Sequence, residues 1–198
     1  MSFFYGGDVM NKVEPIRTKA KLDRIRNILI EQSYRNYMLF QFPIHIGMRI
    51  GDILELRVKD VKNKEYIYVT EMKTRHRKRN KRNRFTIPKT IRKELLDYIE
   101  YEQLKENDYL FYTSNRYCLH LSRRQAYNII KNAAVKAGVT SAVGCHTLRK
   151  TFGYWHYKQF NDVAMLQKIF NHTTPEETLI YIGITDEQIS STLNNFAI

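Results

Sequence analysis

His146-Thr147-Leu148-Arg149, then Phe170-Asn171-His172, then Thr178-Leu179-Ile180-Tyr181: these three runs lie within one short segment near the end of the chain. They bring two histidines, an arginine and a tyrosine close together in sequence, and each of those side chains can bind or attack a phosphate. A tyrosine hydroxyl has an ordinary pKa of about 10 and is a poor nucleophile unless its proton leaves as it attacks. Arginine suits the clamp, because its planar fork bonds two phosphate oxygens at once. The segment therefore predicts a site that holds a nucleic-acid phosphate against Tyr181, with the rest of the chain positioning it.

The remaining composition fits such a partner. The chain has 198 residues, is 43% hydrophobic and carries a net charge of +13. Its size suits one large domain or two small ones, and its charge calls for a polyanion. A membrane surface is disfavoured as that partner. No apolar run approaches the roughly 20 residues that span a bilayer, and Met1 to Asn11 lacks the basic-then-apolar order of a signal peptide. Cys118 and Cys145 stand far apart, outside any metal or redox spacing, which suits a reduced cytosolic protein.

Read from the start, residues 1–15 show no periodic pattern and are expected to form a loose tail. The expected folded domain is 16–198. From Thr18, Ala20, Leu22, Ile25, Ile28 and Leu29 recur at helical steps. Ser33 is placed to cap a second helix carrying Tyr34, Tyr37, Met38, Phe40 and Phe42, which Pro43 is expected to kink or restart. In Gly47-Met48-Arg49-Ile50-Gly51-Asp52 two glycines flank an arginine, which puts Arg49 at a helix start where backbone N–H groups favour anions.

Tyr66 to Met72 reads as a strand and Arg84 to Ile87 as its partner. Between them lies the densest basic run: Lys73, Arg75, Arg77, Lys78, Arg79, Lys81, Arg82 and Arg84, with no acid among them. The chain's other 25 basic residues face 20 acids, so most of the positive excess sits on this one hairpin. Pro88 opens a helix expected to run to about Lys105. Tyr109-Leu110-Phe111 is a short buried strand or an extended link. Ser122 and Gln125 form a capping box for a helix stopped by Gly138. A helix after Gly144 carries His146 and Arg149 on one face. Asp162 to Phe170 is a further helix. Thr174-Pro175-Glu176-Glu177 starts one that reaches Tyr181, and Thr185 and Gln188 open a last one. The fold class is α+β, mainly helical, with a small antiparallel β-sheet.

Arg49, Lys73, His146-x-x-Arg149, His172 and Tyr181 come in the order found in tyrosine recombinases of the phage integrase family. The interval from His172 to Tyr181 matches that family's usual spacing. The resemblance covers Thr18 to the C-terminus, essentially the family's catalytic domain, and implies that domain's fold. It implies a site-specific DNA recombinase or integrase working through a 3′-phosphotyrosyl intermediate. In that reading Tyr181 resembles the nucleophile. Arg49 and Arg149 resemble the pair on the non-bridging oxygens, and Lys73 resembles the lysine that protonates the leaving 5′-oxygen. His146 resembles the general acid/base, His172 a phosphate hydrogen-bonding residue, and Asp52 a supporting acid. Arg75, Arg77, Lys78, Arg79, Lys81, Arg82 and Arg84 are expected to track DNA phosphates, giving affinity without sequence information.

No metal or nucleotide cofactor is implied. The implied partners are double-stranded DNA, further copies of the chain as a tetramer on DNA, and an accessory DNA-binding domain or protein, because typical members carry a helical domain ahead of the catalytic one. The implied location is the cytoplasm, as a bacterial or phage-encoded protein associated with the nucleoid. Phe170-Asn171 stands where the family usually has Leu-Gly, and Ile182-Gly183 where a further histidine often appears, so both bear on how the tyrosine is placed. Two other readings stay open: a type IB topoisomerase-like relaxing enzyme, and a catalytically silent DNA-binding regulator on the same fold. Thr185 to Ile198 has an apolar stripe that would dock either on its own domain or on a neighbour.

Overall fold

A computed structural model describes residues 13–69, 83–113, 119–184 and 194. Two long helices open the fold, α1 (Lys19–Gln32) and α2 (Tyr34–Ile46). Ser33 separates them, and its side chain accepts a hydrogen bond from the Asn36 amide, a cap typically worth about 1 kcal/mol. Leu22, Ile25 and Leu29 form the buried stripe of α1.

Of the kink or restart expected at Pro43, the restart does not occur. The helix continues through this residue to Ile46 and ends at Gly47, whose φ of 72° is left-handed. Phe42 and Ile46 on either side of the proline are buried in the core, and that burial outweighs the missing amide.

After the turn come α3 (Ile50–Leu54) and α4 (Val58–Val61). The strands β1 (Tyr66–Val69) and β2 (Asn83–Thr86) pair antiparallel, with Ile67 opposite Phe85. Both of these residues are buried, while Tyr68 and Arg84 on the other face are exposed. The helix α5 (Lys89–Tyr101) stops short of Lys105. Gln103 takes a left-handed φ of 53° and the Leu104 amide bonds back to the Ile99 carbonyl. That reversal folds Leu104 onto the core and ends the helix. Tyr109 to Tyr112 is an extended link, bridged to Arg57 and His120 rather than part of the sheet.

Four helices complete the described chain: α6 (Arg123–Lys136), α7 (Thr147–Phe160), α8 (Val163–Phe170) and α9 (Pro175–Ile182). The capping box of Ser122 and Gln125 forms as expected. Helix α2 is the hub, packing on α1, α5 and α7, while α7 also meets α8 and α9. The main core gathers residues from Ile16, just before α1, through the start of α7. A second, smaller core of Leu166, Phe170 and Ile182 joins α8 to α9, and Tyr181 packs against it. Burying each of those three side chains stabilises by about 1.5–3 kcal/mol, which is what holds the short α9 in place.

The N-terminal segment differs from expectation. Residues 1–12 lie outside the described residues, but 13–15 are no loose tail. Pro15 is buried, and the Glu14 amide donates to the Ala142 carbonyl. Ile16 is 1% exposed, and its carbonyl accepts from the Trp155 indole. The expected last helix from Thr185 also lies outside the described residues, apart from position 194.

Candidate active site

Five of the six residues singled out by their order fall within the described chain: Arg49, His146, Arg149, His172 and Tyr181. Lys73, Arg75, Arg77, Lys78, Arg79, Lys81 and Arg82 lie outside it. Arg84 is exposed on β2, with its guanidinium 4.7 Å from the centre of the Tyr66 ring.

Arg49 is the residue before α3, as its glycine setting predicted. Gly47 makes the preceding turn, and a Cβ there would come within 2.4 Å of the Phe152 ring. His146 is the N-cap of α7 rather than a residue inside it. Arg149 follows one turn later, 2% exposed. Its two terminal nitrogens donate to the Gly47 carbonyl at 2.7 Å and the Phe170 carbonyl at 2.9 Å. The guanidinium also lies 4.5 Å from the centre of the Phe170 ring. Arg149 therefore ties the Arg49 turn, α7 and the end of α8 to one another.

That arrangement is electrostatically costly. Burial, and then the neighbouring charge of Arg49, push the Arg149 pKa down to about 10, with Tyr181 and Asp52 opposing the fall. The side chain still stays charged at neutral pH. Two arginines held close, one of them buried, make a place where an anion is favoured. Asp52, 5% exposed on α3, sits near enough to offset part of this repulsion.

Tyr181 is on α9, which Thr174 caps through the Glu177 amide. Its ring is packed edge-on by three neighbours: Phe170 at 5.4 Å, His172 at 5.0 Å and His146 at 6.3 Å between centroids. The His146 Nδ1 lies 3.1 Å from the Tyr181 hydroxyl oxygen. Burial raises the Tyr181 pKa, and the charges of Arg149 and Arg49 pull it back. The phenol is thus protonated at neutral pH, with a ring nitrogen in reach of its proton. His172 is oriented by Thr178, fully buried one turn before Tyr181, whose hydroxyl lies 3.1 Å from Nδ1.

Asn171 explains one departure from the family pattern. It is the C-cap of α8 with a left-handed φ of 54°, where glycine is the usual occupant and asparagine the best-tolerated alternative. Phe170 beside it is fully buried and supports both Arg149 and Tyr181. Ile182, in place of a further histidine, is a core residue.

Three further residues escaped the sequence reading. Lys150 is 5% exposed, and its ammonium lies 5.2 Å from the centre of the Tyr181 ring. Arg123 lies against Gly51 and lines a cleft of about 480 Å³ with Arg49, Asp52, Cys145 and His146. Arg17 donates to both Glu14 and the Gly183 carbonyl at 2.9 Å, so the N-terminal segment braces the end of α9. Lys150 had a sequence signal: it falls four residues after His146, on the same helical side. Arg17 had none. His45 and His156 lie together in a separate cleft with Phe152 and Trp155. Among the described residues, no group of histidine, cysteine and acidic side chains is placed to hold a metal ion, and no helix is long and apolar enough to cross a membrane.

Comparison with known proteins identifies the family. The profile described as the phage integrase family matches residues 17–188. The chain is 42% identical over 178 residues to the probable integrase/recombinase YoeC of Bacillus subtilis, covering 90% of this chain and 93% of that protein. It is 25% identical over 173 residues to the tyrosine recombinase XerD of Staphylococcus saprophyticus, covering 86% of this chain but only 57% of XerD. The crystal structure of XerA recombinase superimposes with a TM-score of 0.72 at 22% identity, over 92% of this chain and 64% of the other.

Proposed function

The chain belongs to the phage integrase family, and on that premise we propose that it breaks and rejoins double-stranded DNA as a site-specific recombinase, with Tyr181 as nucleophile. The observation that carries this reading is the placement of the His146 Nδ1 at 3.1 Å from the Tyr181 hydroxyl, beside two arginines. A protonated phenol needs both a proton acceptor and nearby cations before it can attack a phosphodiester.

The step balances without a cofactor. The Tyr181 oxygen attacks phosphorus while its proton passes to His146. The bond to the 5′-oxygen breaks, and that oxygen takes a proton from Lys73, the residue the family order assigns to this task. The products are a 3′-phosphotyrosyl bond and a free 5′-hydroxyl. An incoming 5′-hydroxyl reverses the sequence, so bond energy is conserved. Arg49 and Arg149 hold the non-bridging oxygens, and His172 hydrogen-bonds one of them. Asp52 supports the arginines. The basic residues from Arg75 to Arg84 follow the DNA backbone. Exchange between two duplexes cuts four strands, which calls for four copies of the chain on DNA. The chain spans just over half of XerD, and the rest of the grip on the duplex is assigned to an accessory domain or protein.

The test uses nicked suicide duplexes with randomised flanking sequence. Wild-type protein should yield a covalent adduct on denaturing gels, and sequencing the trapped DNA reads out the target. Tyr181→Phe should bind the same duplexes and give no adduct. Binding with no wild-type adduct would favour the silent regulator, and an adduct surviving in Tyr181→Phe would remove the nucleophile assignment.

A further inference from the structure

A buried lysine costs free energy unless its charge is matched. Lys150 is 5% exposed. It follows Arg149 directly on α7. It stands on α7 four residues after His146, so the two side chains project to the same side of the helix. That side faces α9. His146 meets the hydroxyl end of Tyr181 and the Lys150 ammonium lies at the face of its ring, 5.2 Å from the centroid. Phe170 and His172 pack against the same ring in T-shaped contacts.

We propose that Lys150 is a positioning residue for the nucleophile, its buried ammonium pinning the Tyr181 ring from the face so that the hydroxyl stays aligned with His146. The chemistry that suits this task is a cation against an aromatic face, an attraction that strengthens when the pair is dry. The ammonium has a second effect at the same place. A positive charge beside the ring favours the phenolate as the proton leaves. The inference rests on Tyr181 being the nucleophile, but its test does not require cleavage.

The experiment is nuclear magnetic resonance of protein labelled with 13C at the tyrosine Cζ, with no DNA present. Tyr181→Phe identifies the Tyr181 signal by its loss. In Lys150→Met, which keeps length and loses charge, the Tyr181 titration should move up by about one pH unit. Lys150→Arg should restore it to within a few tenths of wild type, because guanidinium also stacks on an aromatic face. With suicide duplexes, Lys150→Met should slow adduct formation about tenfold or more without changing the dissociation constant for DNA. If methionine lowers the folded population, as judged by circular dichroism, Lys150→Gln replaces it and must show the same upward movement. A Tyr181 titration unchanged in a folded neutral variant, or one displaced equally in Lys150→Arg, would overturn the proposal. Loss of the adduct with an unmoved titration would leave the nucleophile assignment standing and remove this one.

Discussion

The Nδ1 of His146 lies 3.1 Å from the Tyr181 hydroxyl oxygen across 35 positions of sequence. Because burial keeps the phenol protonated, that contact has a measurable consequence. His146→Gln should slow adduct formation by about 10²–10⁴-fold, the usual range for losing a positioned base. In that variant the rate should climb with pH until the raised pKa of Tyr181 is passed, since hydroxide must then remove the proton. A pH-independent rate in His146→Gln would show that another group takes the proton.

Arg49 and Arg149 repel one another, and this repulsion helps depress the Arg149 pKa to about 10. A group with a lowered pKa and a positive charge weakens the fold at neutral pH, and that cost is lifted only as pH rises through about 10. An anion lifts it at neutral pH. Sulfate should therefore raise the melting temperature by several degrees more than sodium chloride of equal ionic strength. Arg49→Gln should lose most of the difference. Equal responses to both salts would mean that the paired arginines do not bind an oxyanion.

Arg149 also satisfies the carbonyls of Gly47 and Phe170. Arg149→Gln should then lose both rate and stability: about a hundredfold in adduct formation, and about 1–3 kcal/mol for each carbonyl left buried and unsatisfied. Chemical denaturation and single-turnover cleavage measure the two losses separately. A variant that lost rate alone would show that the carbonyl contacts carry no structural weight.

Gly47 needs its left-handed backbone and its missing side chain. Gly47→Ala sets a Cβ within 2.4 Å of Phe152 and adds about 1 kcal/mol of backbone strain. The expected result is a lower melting temperature together with a slower adduct, because the displaced carbonyl is the one Arg149 holds. A slower adduct at unchanged stability would place the fault elsewhere.

Arg17 donates to the Gly183 carbonyl at the end of α9, the helix that carries Tyr181. Arg17→Ala should cost about 1 kcal/mol and slow cleavage more than it weakens DNA binding. If binding and cleavage fell together, Arg17 would be acting on DNA and not on α9.

Much of the fold was legible in the residues. Ser33, Ser122 and Thr174 each announce a helix start, because a cap bonds an amide only three residues on. The spacing from His172 to Tyr181 and the glycines around Arg49 were legible for the same reason. Pro43 does not restart α2, because the packing of Phe42 and Ile46 overrides a local penalty. Residues 13–15 were misread because their partners, Ala142 and its neighbours, are remote in sequence.

What the sequence determined by itself was therefore local: which stretches coil, where they begin, and the order of arginine, lysine, histidine and tyrosine that marks the family. Only the tertiary structure decided that Arg149 reaches the Gly47 carbonyl 102 positions away and that Arg17 braces Gly183. Those contacts arise from helices meeting across a core. No short-range pattern encodes them, because their free energy comes from burial and charge shared between segments that are neighbours only once the chain has folded.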